Sequence, residues 1–203
     1  MPDKEFLSKL APEVKAGQSG LLALDWNNGN RNVLADADLS GLLVGQTLHT
    51  TNYEIYRAFI EATAFGARTI IERIEKYGVK IDKIINCGGI AEKNPLVMQI
   101  YADILNRPMA IAGSLETVAL GSAIMGATAA LKGATEFKGI QQIQNKACKV
   151  KGKEYKPNML EVKTYDKLYK LYSELHDAFG IKNNNSSLYN VMKELLSIKK
   201  MRL

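Results

Sequence analysis

The sequence predicts an α/β domain built in layers, on three observations. Short apolar runs near residues 21–26, 81–87 and 109–112 have strand length. Longer segments between and after them repeat apolar residues at steps of three and four, the period of a helix with one buried face. Glycine, asparagine and proline stand at the joins. Such alternation argues a sheet covered by helices. With 203 residues, 46% hydrophobic and 24% charged, the chain can bury a real core.

Phe6 to Lys15 reads as a short helix with Phe6, Leu7 and Leu10 on its apolar side, and Gly17 to Gly20 breaks it. Leu21 to Trp26 is the first strand. Asn27-Asn28-Gly29-Asn30 is a turn, since Asn and Gly tolerate left-handed backbone. Asp36 to Gly45 is a loop leading into a short extended piece. A long helix then spans about Tyr53 to Tyr77, with Ile55, Phe59, Ala62, Phe65, Thr69, Arg73 and Ile74 along one side. Thr51 or Asn52 caps its start, and Gly78 takes the left-handed position that ends it. Arg57, Glu61 and Arg68 are expected to face solvent or a neighbouring lobe.

The stretch from Ile81 to Met109 carries the candidate site. The strand 81–87 runs into Gly88-Gly89, and Asn94-Pro95 then opens a helix. Proline suits the first helical position, whose N–H has no intrahelical partner, and Asn94 is a favoured N-cap. The geometry implied is a strand, a glycine turn and a capped helix, with free N–H groups converging on one spot. Gly88 and Gly89 carry no side chains, so a flat or anionic ligand can approach the main chain. Leu96, Ile100 and Ile104 form the helix's core face, with Gln99 and Asp103 on its other faces.

Met109 to Ala112 is a further strand, and Ser114 is placed to cap the helix Thr117 to Leu131. That helix is dense in small residues. Gly121 and Gly126 in its interior, each costing up to about 1 kcal/mol against alanine, predict that something packs closely on it. Residues 134–160 read as a polar, lysine-rich connection. Asp166 to Phe179 is an amphipathic helix, 183–187 a turn, and Leu188 to Ile198 a last helix with Leu188, Val191, Met192, Leu195 and Leu196 inward. The chain thus divides into a lobe over 1–133 and, over 134–203, a connection with helices packed on that lobe.

Composition excludes several function classes. No run approaches the roughly 18–20 apolar residues of a membrane span. The first residues are charged and unlike a signal peptide, so a cytoplasmic location is expected. Cys87 and Cys148 form no CxxC pair, and Cys87 reads as a small buried hydrophobe. Two histidines, His49 and His176, give poor support to a His metal site or a Ser-His triad. There is no GxGxxG and no GxxxxGK[ST], which argues against a dinucleotide site or a P-loop. Residues 132–203 hold 15 Lys/Arg against 7 Asp/Glu. With no nucleic-acid motif there, this reads as a solvated lysine-rich surface rather than a nucleic-acid interface.

GGIAEKNPLVMQIYADILNRPM resembles the adenosine-binding segment of the FGGY carbohydrate kinases, which share the actin-like (RNase H-like) ATPase fold. LALDWNNGNR resembles the LDWxNGxR stretch of that family's bacterial ribulokinase branch. Gly41 to Gly45 followed by Glu54 to Glu61 resembles the second FGGY signature, departing from it at Gln46 and Phe59. ALGSAIMGA, LYSELHDAFG and VMKELLSIKK extend the likeness along nearly the whole chain. The resemblance implies the C-terminal lobe of an actin-like ATPase fold, without its first strands and with added C-terminal helices. It implies a nucleotide-binding part of an ATP- and Mg²⁺-dependent sugar kinase of arabinose breakdown, in which Gly88 and Gly89 present backbone to the adenine nucleotide and Asn94 orients it. The alternatives are a kinase of another pentulose or polyol, or a non-catalytic nucleotide-binding or interaction module. No catalytic residue is assigned: the sugar-binding groups, the catalytic aspartate and the phosphate-gripping turn are implied to lie in other segments, with the sugar reached through the N-terminal lobe. Asp25 and Asp36 have no spacing that makes either a base. Without its preceding hairpin, the strand at Leu21 is expected to offer an open edge for self-association.

Overall fold

The computed structural model describes residues 10–134, 136–182, 184–185 and 191–202. After a 3-10 turn at Ala11–Glu13 the elements are β1 (Leu22–Leu24), β2 (Leu42–Val44), α1 (Asn52–Lys76), β3 (Ile84–Asn86), α2 (Gly89–Lys93), α3 (Pro95–Leu105), β4 (Met109–Ala112), α4 (Thr117–Ala130), α5 (Ile140–Ala147), β5 (Val150–Tyr155), α6 (Met159–Gly180) and α7 (Val191–Arg202). They form two compact units. One holds the described residues up to Ile81, Ile100–Asn106, and the described residues from Pro157 onward; the other holds Asp82–Gln99 and Arg107–Lys156.

The first unit is organised on α1 and α6. Thr51 and Glu54 close a reciprocal capping box at the start of α1, and Gly78, at φ +87°, follows its end. Its buried stripe is Ala58, Ala62 and Phe65, and Phe59 and Ile74 lie largely outside it. Phe65 is enclosed by Tyr165, Tyr169 and Tyr172 of α6, with ring centroids 5.3–6.1 Å away. Arg57 and Glu61, expected to face solvent or a neighbouring lobe, are buried inside the first unit at 7% and 4% exposure. Their i,i+4 pairing with each other and with Tyr165 makes burial tolerable. Arg68 bridges to Asp166 at 2.8 Å and to Glu72 at 2.9 Å. Asp103, placed by its spacing on a non-core face of α3, is also buried and accepts the Asn158 N–H at 2.7 Å.

β1 pairs antiparallel with β2 and packs against α1 and α6. Leu21, Leu22, Ala23 and Leu24 are each only 1–2% exposed. The open edge expected at this strand is therefore not offered to solvent. Of the expected terminal helices, Phe6, Leu7 and Leu188 lie outside the described residues, as do residues 183, 186 and 187 of the predicted turn and the side chains of Val191, Met192 and Leu196. Leu195 is buried as expected, and Ile198 with it.

The second unit is a three-stranded sheet ordered β3-β4-β5, with β3 and β4 parallel and β5 antiparallel to β4. The predicted featureless connection over 134–160 holds both α5 and β5. β5 reads VKGKEY and buries only Tyr155, so no apolar alternation announces it. β3 is an edge strand with Ile85 half-exposed, and Cys87 beyond it is exposed rather than buried. α4 has the predicted extent, but its neighbours differ from expectation. A Cβ added at Gly121 or Gly126 would meet nothing within 4 Å, and Val118 and Met125 are exposed. The helix is apolar all round and buries only Ile124, so its glycines face open space. Nor does Ser114 cap it: Glu116 is the N-cap, and the Ser114 hydroxyl accepts the Glu116 N–H at 3.2 Å.

Candidate functional site

In the sheet of the second unit Asn86 lies opposite Ile111, so the loops after β3 and β4 leave its carboxyl end together. Open α/β sheets take ligands at that end. The loop after β3 is the glycine turn. Gly88 has φ +88° and ψ 172°, a region closed to residues with a Cβ. Gly89 is the first residue of α2 and has ordinary helical backbone. A Cβ built at either glycine would touch nothing within 4 Å, so the main chain here faces open space as the sequence reading expected.

Asn94 stands at the far end of α2. Its N–H donates to Ile90 O at 2.9 Å, and its Oδ1 accepts the Val97 N–H at 3.2 Å. It thereby ends α2 and caps α3 at once. The side-chain oxygen is spent on the helix, which leaves positioning of α3 as the role the geometry supports. Glu92 of α2 pairs with Lys151 of β5, fixing the short helix to the sheet. The three predicted residues thus flank α2, with the two glycines exposed at its start and Asn94 at its end as a brace for α3. A cavity of about 490 Å³ in the same unit is lined by Ile85, Ser114, Thr117 and Ile124, and by none of the three. Among the described residues no group of three or more His, Cys, Asp or Glu could hold a metal ion.

A second polar site, in the first unit, escaped the sequence reading. Asp25 leaves the end of β1 and lines a cavity of about 410 Å³ together with Thr63, Tyr101, Tyr172 and His176. Burial pushes the Asp25 carboxyl above its usual range, and hydrogen bonds and the nearby His176 draw it partly back. Burial likewise raises the Tyr101 phenol. These residues come from four distant parts of the chain, and the signal in sequence was only the acidic residue ending an apolar strand. No helix among the described residues is long and apolar enough to cross a membrane.

The C-terminal domain of the FGGY family of carbohydrate kinases matches residues 3–130. A ribulokinase of Bacillus licheniformis is 48% identical over 198 residues, covering 98% of this chain and 35% of the relative. A ribulokinase of Geobacillus thermodenitrificans is 46% identical over 191 residues, covering 94% of this chain and 33% of the relative. Among solved structures, a ligand-bound xylulose kinase from Lactobacillus acidophilus superposes with a TM-score of 0.75 at 26% identity, over 88% of this chain and 35% of that one. The chain thus spans about a third of the length of the curated relatives it matches. The glycine turn, the capped α3 and the small-residue helix α4 all fall inside the matched region, and the fold agrees with the sequence: the chain belongs to the FGGY family of carbohydrate kinases.

Proposed function

We propose that this chain is the nucleotide-binding part of an ATP-dependent sugar kinase, a ribulokinase converting ribulose and ATP to ribulose 5-phosphate and ADP. The observation that carries the reading is the exposed main chain at Gly88 and Gly89, within a stretch covered by ribulokinases at up to 48% identity. Gly88 gives the turn its shape, Gly89 lets an adenine nucleotide lie against the backbone, and Asn94 holds α3 in place beneath it. Phosphoryl transfer needs a base on the sugar hydroxyl, Mg²⁺ on the phosphates and donors for the developing charge. In this reading those groups, and the sugar site, come from the part of the relatives' length that this chain does not match. Mg²⁺ arrives with the nucleotide phosphates.

Pairing along a sheet edge, with the remainder of the kinase or with a second copy, falls to β3, which has β4 on one side only among the described residues. Monomeric elution at high concentration counts against the second-copy form.

A coupled ADP-release assay tests the activity, on this chain alone and mixed with the N-terminal portion of the Bacillus licheniformis ribulokinase. Turnover with L-ribulose is expected only in the mixture. The site is tested by Gly89→Leu, which the open space and ordinary backbone at Gly89 allow to fold. ATP affinity measured by calorimetry should fall at least tenfold, and unchanged affinity removes the site assignment.

A further inference from the structure

β5 brings a positive charge to the end of the sheet where the glycine turn lies. Ala112, the last residue of β4, faces Val150, the first of β5, and the Gly113 N–H donates to the Lys149 carbonyl at 2.7 Å. The amino end of β5 therefore lies at the same end of the sheet as the carboxyl ends of β3 and β4. Lys151 is the second residue of β5, and its Nζ donates to the Glu92 carboxylate of α2. β5 stands beyond residues 3–130, which match the family's domain, so that domain alone does not supply this lysine.

Glu92 serves α2 itself. It sits in the first turn, where a carboxylate is favoured by the positive helix end. α2 has only five residues, too few to hold together by their own hydrogen bonds. The same carboxylate belongs to the third residue after Gly89, about 4.5 Å further along the helix axis. An unmasked charge there repels an anion laid on the exposed main chain of Gly88 and Gly89. Lys151 meets both needs, because its ammonium ties the carboxylate to β5 and cancels its charge.

We propose that Lys151 is a positioning residue for the nucleotide and acts through Glu92, holding that carboxylate against β5 and masking its charge from the phosphate chain. This role rests on the reading of the glycine turn as a nucleotide site. The phosphates carry the charge of ATP and adenosine has none, so the mask matters for ATP and not for adenosine. Both side chains of the pair are partly exposed, so salt screens the repulsion that remains when Lys151 is removed. Loss of such a pair costs the fold little.

The test is calorimetry of ATP and of adenosine on the whole chain, at about 0.05 M and about 0.5 M salt. Lys151→Met should weaken ATP about three- to tenfold at the lower salt and leave adenosine unchanged. At the higher salt the loss should shrink. Lys151→Arg should keep the wild-type affinity, and the double variant Lys151→Met/Glu92→Gln should regain it, since no charge is left to mask. Equal ATP affinity in the wild type and Lys151→Met overturns the proposal. So does an equal loss for ATP and adenosine, which marks a merely structural role. A double variant as weak as Lys151→Met also overturns it, because the lysine then touches the nucleotide directly. Gly89→Leu separates the two readings. If it weakens ATP while Lys151→Met does not, the masking role alone falls; if it leaves ATP affinity unchanged, the nucleotide site falls and the masking role with it.

Discussion

Arg57 donates from Nε to Glu61 Oε1 at 2.8 Å, one turn along α1, with both side chains out of solvent. The guanidinium also reaches Tyr165 Oη at 2.9 Å and the Ala11 carbonyl at 3.1 Å, and Tyr165 donates to Glu61 at 2.8 Å. Burial alone would lower the Arg57 pKa, but Glu61 and Tyr165 hold it above its ordinary value. One cluster therefore ties the N-terminal turn, α1 and α6. Arg57→Met should cost about 3–5 kcal/mol, because it strands the Glu61 charge without its partner. The double variant Arg57→Met/Glu61→Leu should recover much of that loss. Urea denaturation midpoints for the three proteins check both statements.

Phe65 is completely buried against three tyrosine rings. Phe65→Ala should destabilise the first unit by about 3–5 kcal/mol, combining lost transfer energy with the cavity left behind. The same urea titration, followed by tyrosine fluorescence, reads it.

Gly121 sits in α4 with open space where a Cβ would stand. Gly121→Ala should therefore stabilise by about 0.5–1 kcal/mol, the intrinsic helix preference with no clash to offset it. Thermal melting measures the change. A loss of stability would mean that this face is covered in the protein.

Asp25 titrates above the usual carboxylate range because it is buried. A folded-state pKa above the unfolded one means that its contribution is full below about 3.8 and is lost as pH rises through the folded value. Asp25→Asn removes that loss. The variant should match the wild type near pH 3.5 and melt above it at pH 7.5, the gap opening as pH rises between them. Equal melting temperatures at both pH values would contradict the burial argument.

Local chemistry was legible in the sequence and long-range partnership was not. Thr51, Gly78, Asn94 and Pro95 bound their helices where their backbone preferences place them, and β4 has its predicted limits. β5 went unseen because its lysines and glutamate face outward and only its ladder to β4 makes it a strand. Cys87 looked buried because the run before it is apolar, yet β3 is an edge strand whose Ile85 is half-exposed. Arg57 and Glu61 looked like surface residues because Tyr165, which shares their hydrogen bonds, lies 104–108 positions away. The open main chain at Gly88 and Gly89 was legible because a double glycine directly follows an apolar run. The Asp25 cavity was not, because its walls meet only after folding.

The enclosure of Phe65 by rings of α6 also has a consequence for biosynthesis. Tyr172, its nearest ring neighbour, is made about a hundred residues later. At roughly 5–20 residues per second, a ribosome leaves the apolar stripe of α1 uncovered for on the order of 5–20 s. Such an interval favours chaperone capture or aggregation of the nascent polypeptide, and the sheet containing the glycine turn is fully synthesised before α6 begins.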